Sequence, residues 1–343
     1  MTYLLNSWYM IAWSNEISGE HLFTRKILDM PILVYRDPVD QKPRAFFDRC
    51  PHRFAPLSRG ELEGGRIRCG YHGLLFDESG QCVHNPFSKA VPSAAKVRTF
   101  PIVETDGTIW VWTGDAPADM AKLPVISHHA DPQFRYVSGL TTAKSDYRLL
   151  SDNLMDLSHT TFLHPAFGGR DYLPKFRCWE EKDGSIVSDH YVANMPNFLG
   201  EMVSDATVNH RDTIRWIAPA VHILDSHTTS VVDETTFMFQ PSAHILTPET
   251  RTTTHYFWSA ALPVDSPMPD EEMIAILRLA FDEEDKPMVE AVQSRMGDAE
   301  LWDLNPILLP NDAGAVRVRR KLSAMIEAEQ SDAPSRLAAQ TAV

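Results

Sequence analysis

The stretch CPHRFAPLSRGELEGGRIRCGYHGLLFD, residues 50–77, holds two cysteines and two histidines in two short clusters. One residue separates Cys50 from His52, two separate Cys69 from His72, and sixteen lie between the pairs. Thiolates and imidazoles at such spacing are metal-ligand chemistry, and two metal sites compete for it. A structural zinc accepts any mixture of two Cys and two His in a tetrahedral shell. The usual zinc-finger pattern, however, pairs Cys with Cys and His with His, the histidines lying on a helix. Here each arm is mixed and wrapped in turn formers, Pro51 in the first and Gly70 and Gly73 in the second. A [2Fe–2S] cluster with both Cys on one iron and both His on the other needs two loops that each reach over both metals. A Cys-then-His order in each loop does that. The spacing favours the cluster and leaves zinc as the alternative.

Around this stretch the chain has 343 residues, enough for two domains with a core each. It is 43% hydrophobic and 23% charged, with a mean hydropathy of −0.24, as in soluble globular proteins. Its apolar runs fall short of the roughly 20 residues that cross a bilayer. The opening MTYLLNSWYMIAWSNEI has no basic start, since Arg25 is the first Arg or Lys, and no small-residue cleavage site. It is expected to be folded structure rather than a leader. A net charge of −14 argues against a nucleic-acid partner. Locally, Arg49, Arg53, Arg59, Arg66 and Arg68 outnumber Asp48, Glu61 and Glu63, a balance suited to an acidic electron donor or to an ordinary solvated loop. Four cysteines make no disulfide scaffold, and metal-bound thiolates fit the reducing cytoplasm.

The first third reads as short strands: RKILDMPILVYRD, a polar loop PVDQKPR, then AFFDRC. VRTFPIVETDGTIWVWTGD reads as a hairpin turning at Thr105-Asp106-Gly107. Gly114–Ile126 has the Pro and Ala content of a linker, which sets the domains at 1–118 and 119–343. Beyond it, KSDYRLLSDNLMDLSHTTFLH has helical spacing, strand-like runs extend from Ile186 to Ala261, and helices are expected over Pro269–Met296 and Ala313–Glu329. The fold class is α+β: a β-rich small domain, read as all-β, followed by a domain of strands and helices. The end, SDAPSRLAAQTAV, reads as frayed.

A relay cluster needs an acceptor, and SDNLMDLSHTTFLH places Asn153, Asp156, His159 and His164 together. His159 and His164 are five apart, about 140° around a regular helix, so one metal on both demands a π turn or a break between them. Pro165 makes an early end plausible. In the later helix, Ile274, Leu277, Phe281, Met288 and Val292 form an apolar stripe on which Asp285 falls. A carboxylate there is costly unless paired or metal-bound. Asp282, Glu283 and Glu284 lie off the stripe and read as solvated. Pro287 removes one hydrogen bond and opens the helix near residue 283. Two His and one carboxylate on one face of an iron is the arrangement of non-haem Fe(II) oxygenases, with positions open for O₂.

Both ligand sets carry a resemblance. CPHRFAPLS and CGYHGLLFD resemble the two ligand boxes of Rieske proteins, and DNLMDLSHTTFLH resembles the iron-binding box of Rieske non-haem iron oxygenases. EEDKPMVEAV is similar to the segment with their third ligand, matched by Asp285. The likeness runs from NSWYMIAW to GAVRVRRKL, and GQCVHNP and HILTPETRTTTHYFW are most similar to the aromatic O-demethylase branch. The resemblance implies a Rieske domain followed by a catalytic helix-grip (START-like) domain. It implies a [2Fe–2S] cluster on Cys50, His52, Cys69 and His72, and mononuclear Fe(II) on His159, His164 and Asp285. Asn153 belongs to the same box. Asp156 matches the aspartate that, in a homotrimer, links an iron-bound His to a Rieske His of the neighbouring subunit, here His72. Electrons come from NADH through a reductase with flavin and plant-type ferredoxin. O₂ then oxidises a methyl group of a small aromatic acid, and a hydroxylated methoxy group collapses to a phenol and formaldehyde.

His244 matches a pocket position that contacts the aromatic acid. The pocket asparagine of the dicamba enzyme falls on Leu224, or on Asp225 with a shift of one, and its tryptophan on Ile276. These departures point away from dicamba and leave a differently shaped aromatic methyl ether or aryl acid; the branch resemblance implies a vanillate-like methoxybenzoate. Cys82 reads as a small buried residue, and His222, His227 and His255 as structural or surface residues; the doublet His128-His129, in the linker-like region, is given no role. Two other functions use the same residues: a Rieske electron-transfer or redox-sensing protein with a ligand-binding domain, and a zinc-stabilised binding module.

Overall fold

The aromatic and aliphatic run WYMIAW forms a strand, β1 (Trp8–Trp13), that is buried along its whole length. The computed structural model describes residues 3–19, 21–164, 171–197 and 205–332. Residue contacts divide the chain into two units: Leu5–Leu123, and Pro124–Val343 with the first four residues. The division falls inside the linker-like stretch Gly114–Ile126.

The first unit is all β. Its strands are β1, β2 (Phe23–Ile27), β3 (Met30–Arg36), β4 (Pro43–Phe47), β5 (Glu61–Glu63), β6 (Arg66–Arg68), β7 (Leu75–Phe76), β8 (Cys82–His84), β9 (Thr99–Phe100), β10 (Ile102–Thr105) and β11 (Thr108–Trp112). They form three small sheets, ordered β1-β11-β10, β2-β3-β4-β9 and β5-β6-β7-β8. Two hairpins turn on residue pairs with positive φ, Leu28-Asp29 (50° and 62°) and Asp106-Gly107 (47° and 78°), the tight geometry that matches strand twist. The core gathers Leu33, Tyr35, Phe46, Leu57, Ile67, Phe76 and Cys82 around Cys50 and Cys69. Gly60 lets the chain pass the end of β6: a Cβ there would lie 2.0 Å from the Arg68 carbonyl oxygen. Gly60→Ala is therefore expected to cost about 3 kcal/mol, read as a lower denaturation midpoint.

The second unit is a sheet with helices. Its strands are β12 (Phe134–Ala143), β13 (Lys175–Glu180), β14 (Ile186–Pro196), β15 (Thr207–Ile217), β16 (Val221–Ser230), β17 (Thr236–Thr250) and β18 (Thr253–Pro263). They pair antiparallel in the order β12-β18-β17-β16-β15-β14-β13. Strands were expected only from Ile186, and β12 and β13 precede that point. β12 is disguised by Gly139, where a Cβ would fall 2.1 Å from the Trp258 ring; β13 is a charged edge strand. The helices are α1 (Ser127–Ala130), α2 (Tyr147–Met155), α3 (Thr160–Leu163), α4 (Asp270–Arg278), α5 (Lys286–Met296) and α6 (Ala313–Asp332). Met273 of α4 packs on Val137, Ala260 and Leu262. Among the described residues, no helix is long and apolar enough to cross a membrane. Most of the C-terminal stretch expected to fray lies outside the described residues.

A π turn, Leu279–Asp285, joins α4 to α5, and it corrects the expected stripe. Met273, Ala280, Asp285 and Val289 are buried, whereas Met288 and Val292 are 51% and 39% exposed. The Lys286 N–H reaches back five residues to the Phe281 carbonyl. Pro287, with no N–H to give, sits just beyond. One extra residue in the turn rotates the following helix by about 100°, which turns Met288 and Val292 outward and brings in Val289.

Candidate active site

α2 begins at Asp146, whose carboxylate accepts the Arg148 N–H (2.8 Å). It ends at Asp156, which leaves helical geometry (φ −124°, ψ 87°) and caps the following turn by accepting the Ser158 N–H at 3.1 Å. The expected interruption thus falls before His159, and His164 itself leaves the helix (φ −113°, ψ 81°). Pro165 lies outside the described residues.

Nε2 of His159 and Nε2 of His164 each stand 3.3 Å from the same Asp285 oxygen, Oδ1. Asn153 donates to that oxygen through Nδ2 at 3.1 Å. The ligand atoms of His159, His164 and Asp285 all lie within 4.8 Å of one another. The other ring nitrogens are engaged: His159 Nδ1 with the Asp156 backbone oxygen and His164 Nδ1 with Glu284 Oε2, both at 2.6 Å. Each acceptor holds a proton on Nδ1 and turns Nε2 toward the centre, where it donates to Asp285 and would present a lone pair to a metal on giving up that proton. Burial alone would raise the Asp285 carboxyl, but the hydrogen bonds and charges of the two histidines hold it well below the usual carboxylate range. Burial lowers His164, and the hydrogen bonds and charges of Asp285 and Glu284 outweigh it, so its net shift is upward. Two imidazoles and one buried carboxylate, with no thiolate, fit Fe(II).

Glu284 and Asp282 are not the solvated groups the stripe implied. Glu284 orients His164, and Asp282 accepts from the Thr141 hydroxyl at 2.5 Å. Within a π turn, neighbouring carboxylates at 284 and 285 both reach the site. Glu284→Ala is expected to weaken iron retention about 10–100-fold with the cluster untouched, measured as iron lost to a chelator on dialysis.

His244 is buried among sheet residues. Its Nδ1 meets the Tyr256 hydroxyl at 2.7 Å and its Nε2 the Ser242 hydroxyl at 3.0 Å, and Phe281 sits edge-on at 5.5 Å. Burial pushes its pKa down to about 4, so it is a neutral hydrogen-bonding group at pH 7. Leu224 is directly opposite Ser242 and so shares the sheet face of His244, while Asp225 points to the other face. Ile276 is half-buried on α4. His222 bonds the Ser151 hydroxyl (2.9 Å), and His128 and His129 both meet the Ser259 hydroxyl. Cys82 is buried. His190, Tyr256 and Asn311 also serve the site and carry no local sequence signal.

In the first unit the two ligand loops repeat one hydrogen-bond pattern. The Cys50 N–H binds the Ala55 carbonyl and the Phe54 N–H returns to Cys50; the Cys69 N–H binds Leu74 and the Gly73 N–H returns to Cys69. Phe54 and Gly73, at matching places, have φ of 60° and 70°. Both cysteines are buried, and burial pushes the Cys50 thiol up to about 11. The His52 and His72 rings stand 4.5 Å apart at 70°, toward the outside. Among the described residues, these four do not gather their donor atoms around one point as His159, His164 and Asp285 do. One zinc would require that, whereas an inner thiolate pair and an outer imidazole pair fit a [2Fe–2S] cluster.

Residues 7–101 match the Rieske [2Fe-2S] domain, and residues 143–328 match the Vanillate O-demethylase oxygenase C-terminal domain. The chain belongs to the Rieske non-haem iron oxygenases, as an oxygenase component. It is 36% identical to the oxygenase component of dicamba O-demethylase from Stenotrophomonas maltophilia, over 96% of this chain and 99% of that one. It is also 36% identical to the oxygenase component of chloroacetanilide N-alkylformylase from Rhizorhabdus wittichii, over 95% and 97%. The crystal structure of dicamba monooxygenase bound to dicamba superposes with a TM-score of 0.84 at 35% identity, covering 96% of this chain and 100% of that one.

Proposed function

We propose that the chain is the terminal oxygenase of a two-component Rieske monooxygenase that O-demethylates a vanillate-like methoxybenzoate. Electrons come from NADH through a reductase carrying flavin and plant-type ferredoxin. The convergence of His159, His164 and Asp285 carries the proposal; a pure electron carrier has no use for it. Cys50, His52, Cys69 and His72 would hold the cluster, and His159, His164 and Asp285 the iron. When bound, the two groups supply electron storage and O₂ activation. In the overall reaction an aryl methyl ether, O₂, two electrons and two protons give a phenol, formaldehyde and water.

The side chains of this chain have separate tasks. Asp156 would tie His159, through its own backbone carbonyl, to His72 of a neighbour in a homotrimer. Asn153 steadies Asp285. His244 would exchange its Nε2 contact with the Ser242 hydroxyl for one hydrogen bond to the substrate, with Leu224 and Ile276 as apolar wall. Its support at Nδ1, the Tyr256 hydroxyl, is already aligned before substrate arrives. A second substrate class, a neutral N-alkyl anilide, is favoured by the equal identity to the N-alkylformylase and by an uncharged His244 that shares its sheet face with Leu224.

An aerobic assay with a surrogate reductase decides between them. Methoxybenzoates are expected to yield formaldehyde, with product matching O₂ consumed. No formaldehyde from them, but dealkylated product from anilides, moves the proposal to the second class. Neither product from any aryl ether or anilide removes both.

A further inference from the structure

Asp156 is the hinge on which α2 turns into the segment carrying His159. Its backbone carbonyl orients that imidazole, while its side chain, 18% exposed, comes nearer to the surface than that of Asp285, at 7%. A rotation of this one residue would therefore disturb the His159 hydrogen bond and the carboxylate together. Two residues distant in sequence hold this turn, Asn311 through the Asp156 carboxylate and His190 through the backbone N–H that follows it. Asn311 Nδ2 donates to Asp156 Oδ2 at 2.7 Å and to the Ser158 hydroxyl at 3.0 Å. Asn311 stands just ahead of α6, and α6 is anchored to α2 by the Arg319–Asp152 ion pair at 2.6 Å. From the sheet, His190 of β14 accepts the Leu157 N–H on Nε2 at 3.2 Å, with Asp156 Oδ1 at 3.8 Å. His190 is nearly fully buried, and directly opposite it in β15 is Asp212, itself fixed by His210 (3.1 Å) and by the Ser226 hydroxyl (2.5 Å).

We infer that Asn311 and His190 are positioning residues for electron delivery: together they clamp the Asp156 turn, so that its carboxylate keeps the orientation that links His159 to the cluster histidine of a neighbouring copy. The inference rests on the role proposed for Asp156. Neither residue is bonded to His159, His164 or Asp285. The clamp acts on transfer rather than on iron binding. Bonds made by a neutral amide and an imidazole to one short turn are worth more as orientation than as stability, because a small misplacement on an electron or reaction path costs far more in rate than in folding.

The test is single-turnover re-oxidation of the reduced cluster, followed by its visible absorption, in iron-replete protein mixed with substrate and O₂. The variants are Asn311→Ala, Asn311→Asp, His190→Phe and His190→Gln, with Asp156→Asn as reference. Asn311→Ala and His190→Phe are expected to slow re-oxidation about tenfold or more, with iron content and KM preserved. Asn311→Asp, which sets a second carboxylate against Asp156, is expected to be slower still. His190→Gln, whose side-chain oxygen can take the Leu157 N–H, is expected to restore most of the rate. A wild-type rate in the Asn311 variants, with Asp156→Asn slow, overturns the clamp alone; these variants decide even where His190→Phe fails to fold. A fall in melting temperature and iron content, with normal re-oxidation in the iron-loaded fraction, also overturns it, since that is a structural role. A wild-type rate in Asp156→Asn removes the proposed role of Asp156 and the clamp with it.

Discussion

Asp285→Ala is expected to yield a folded, red-brown protein that keeps its cluster and forms almost no product. Asp285 is the anionic member of the three-residue set, and its Oδ1 is the atom on which His159, His164 and Asn153 all converge. Without it, two neutral imidazoles remain, too few to retain a ferrous ion against buffer. Turnover is expected to fall about a thousandfold or more, and iron from about three per chain to about two. Metal analysis beside the visible spectrum separates this outcome from global unfolding. A variant that keeps the third iron removes Asp285 from the ligand set. Folding itself is expected to survive: Asn153 Nδ2 loses its acceptor, a cost of about 1–3 kcal/mol, while the Nδ1 bonds of both imidazoles stay intact.

The second large effect is expected from Cys69→Ser. Cys50 and Cys69 are packed into the core of the first unit with Leu57, Ile67 and Phe76, and each begins a loop closed by two backbone hydrogen bonds. Losing one thiolate should release the cluster, bleach the protein, and lower reductase-driven turnover to about a thousandth of the wild type or less. Because metal binding is coupled to the folding of such loops, the first unit should also melt about 10 °C lower. Visible absorption, turnover and a melting curve check the three parts. A coloured, active Cys69→Ser protein would place the cluster elsewhere.

The cluster loops were legible because everything that builds them is local: ligands, turn formers and returning hydrogen bonds lie within six residues of each cysteine. Asp285 was legible for a different reason, as an acid on an apolar stripe. That stripe was then misread beyond it, since Met288 and Val292 follow α-helical spacing and the chain takes a π turn. Glu284 was lost to the same cause: off the stripe in an α-helix, it reaches His164 in the helix that forms. Asn311 and His190 meet the Asp156 turn from 155 and 33 residues away, a kind of contact that no periodicity encodes. β12 escaped because Gly139, which a strand pattern counts against, is the residue that lets Trp258 lie on it.

The convergence of His159, His164 and Asp285 on one ferrous ion is tested most directly by anomalous diffraction at the iron absorption edge, on crystals of protein purified without chelator. The expected map has a close pair of peaks between the loops of Cys50 and Cys69, and one separate peak between His159 Nε2, His164 Nε2 and Asp285 Oδ1. Iron-replete crystals with density for all three side chains and no iron peak among them would contradict it.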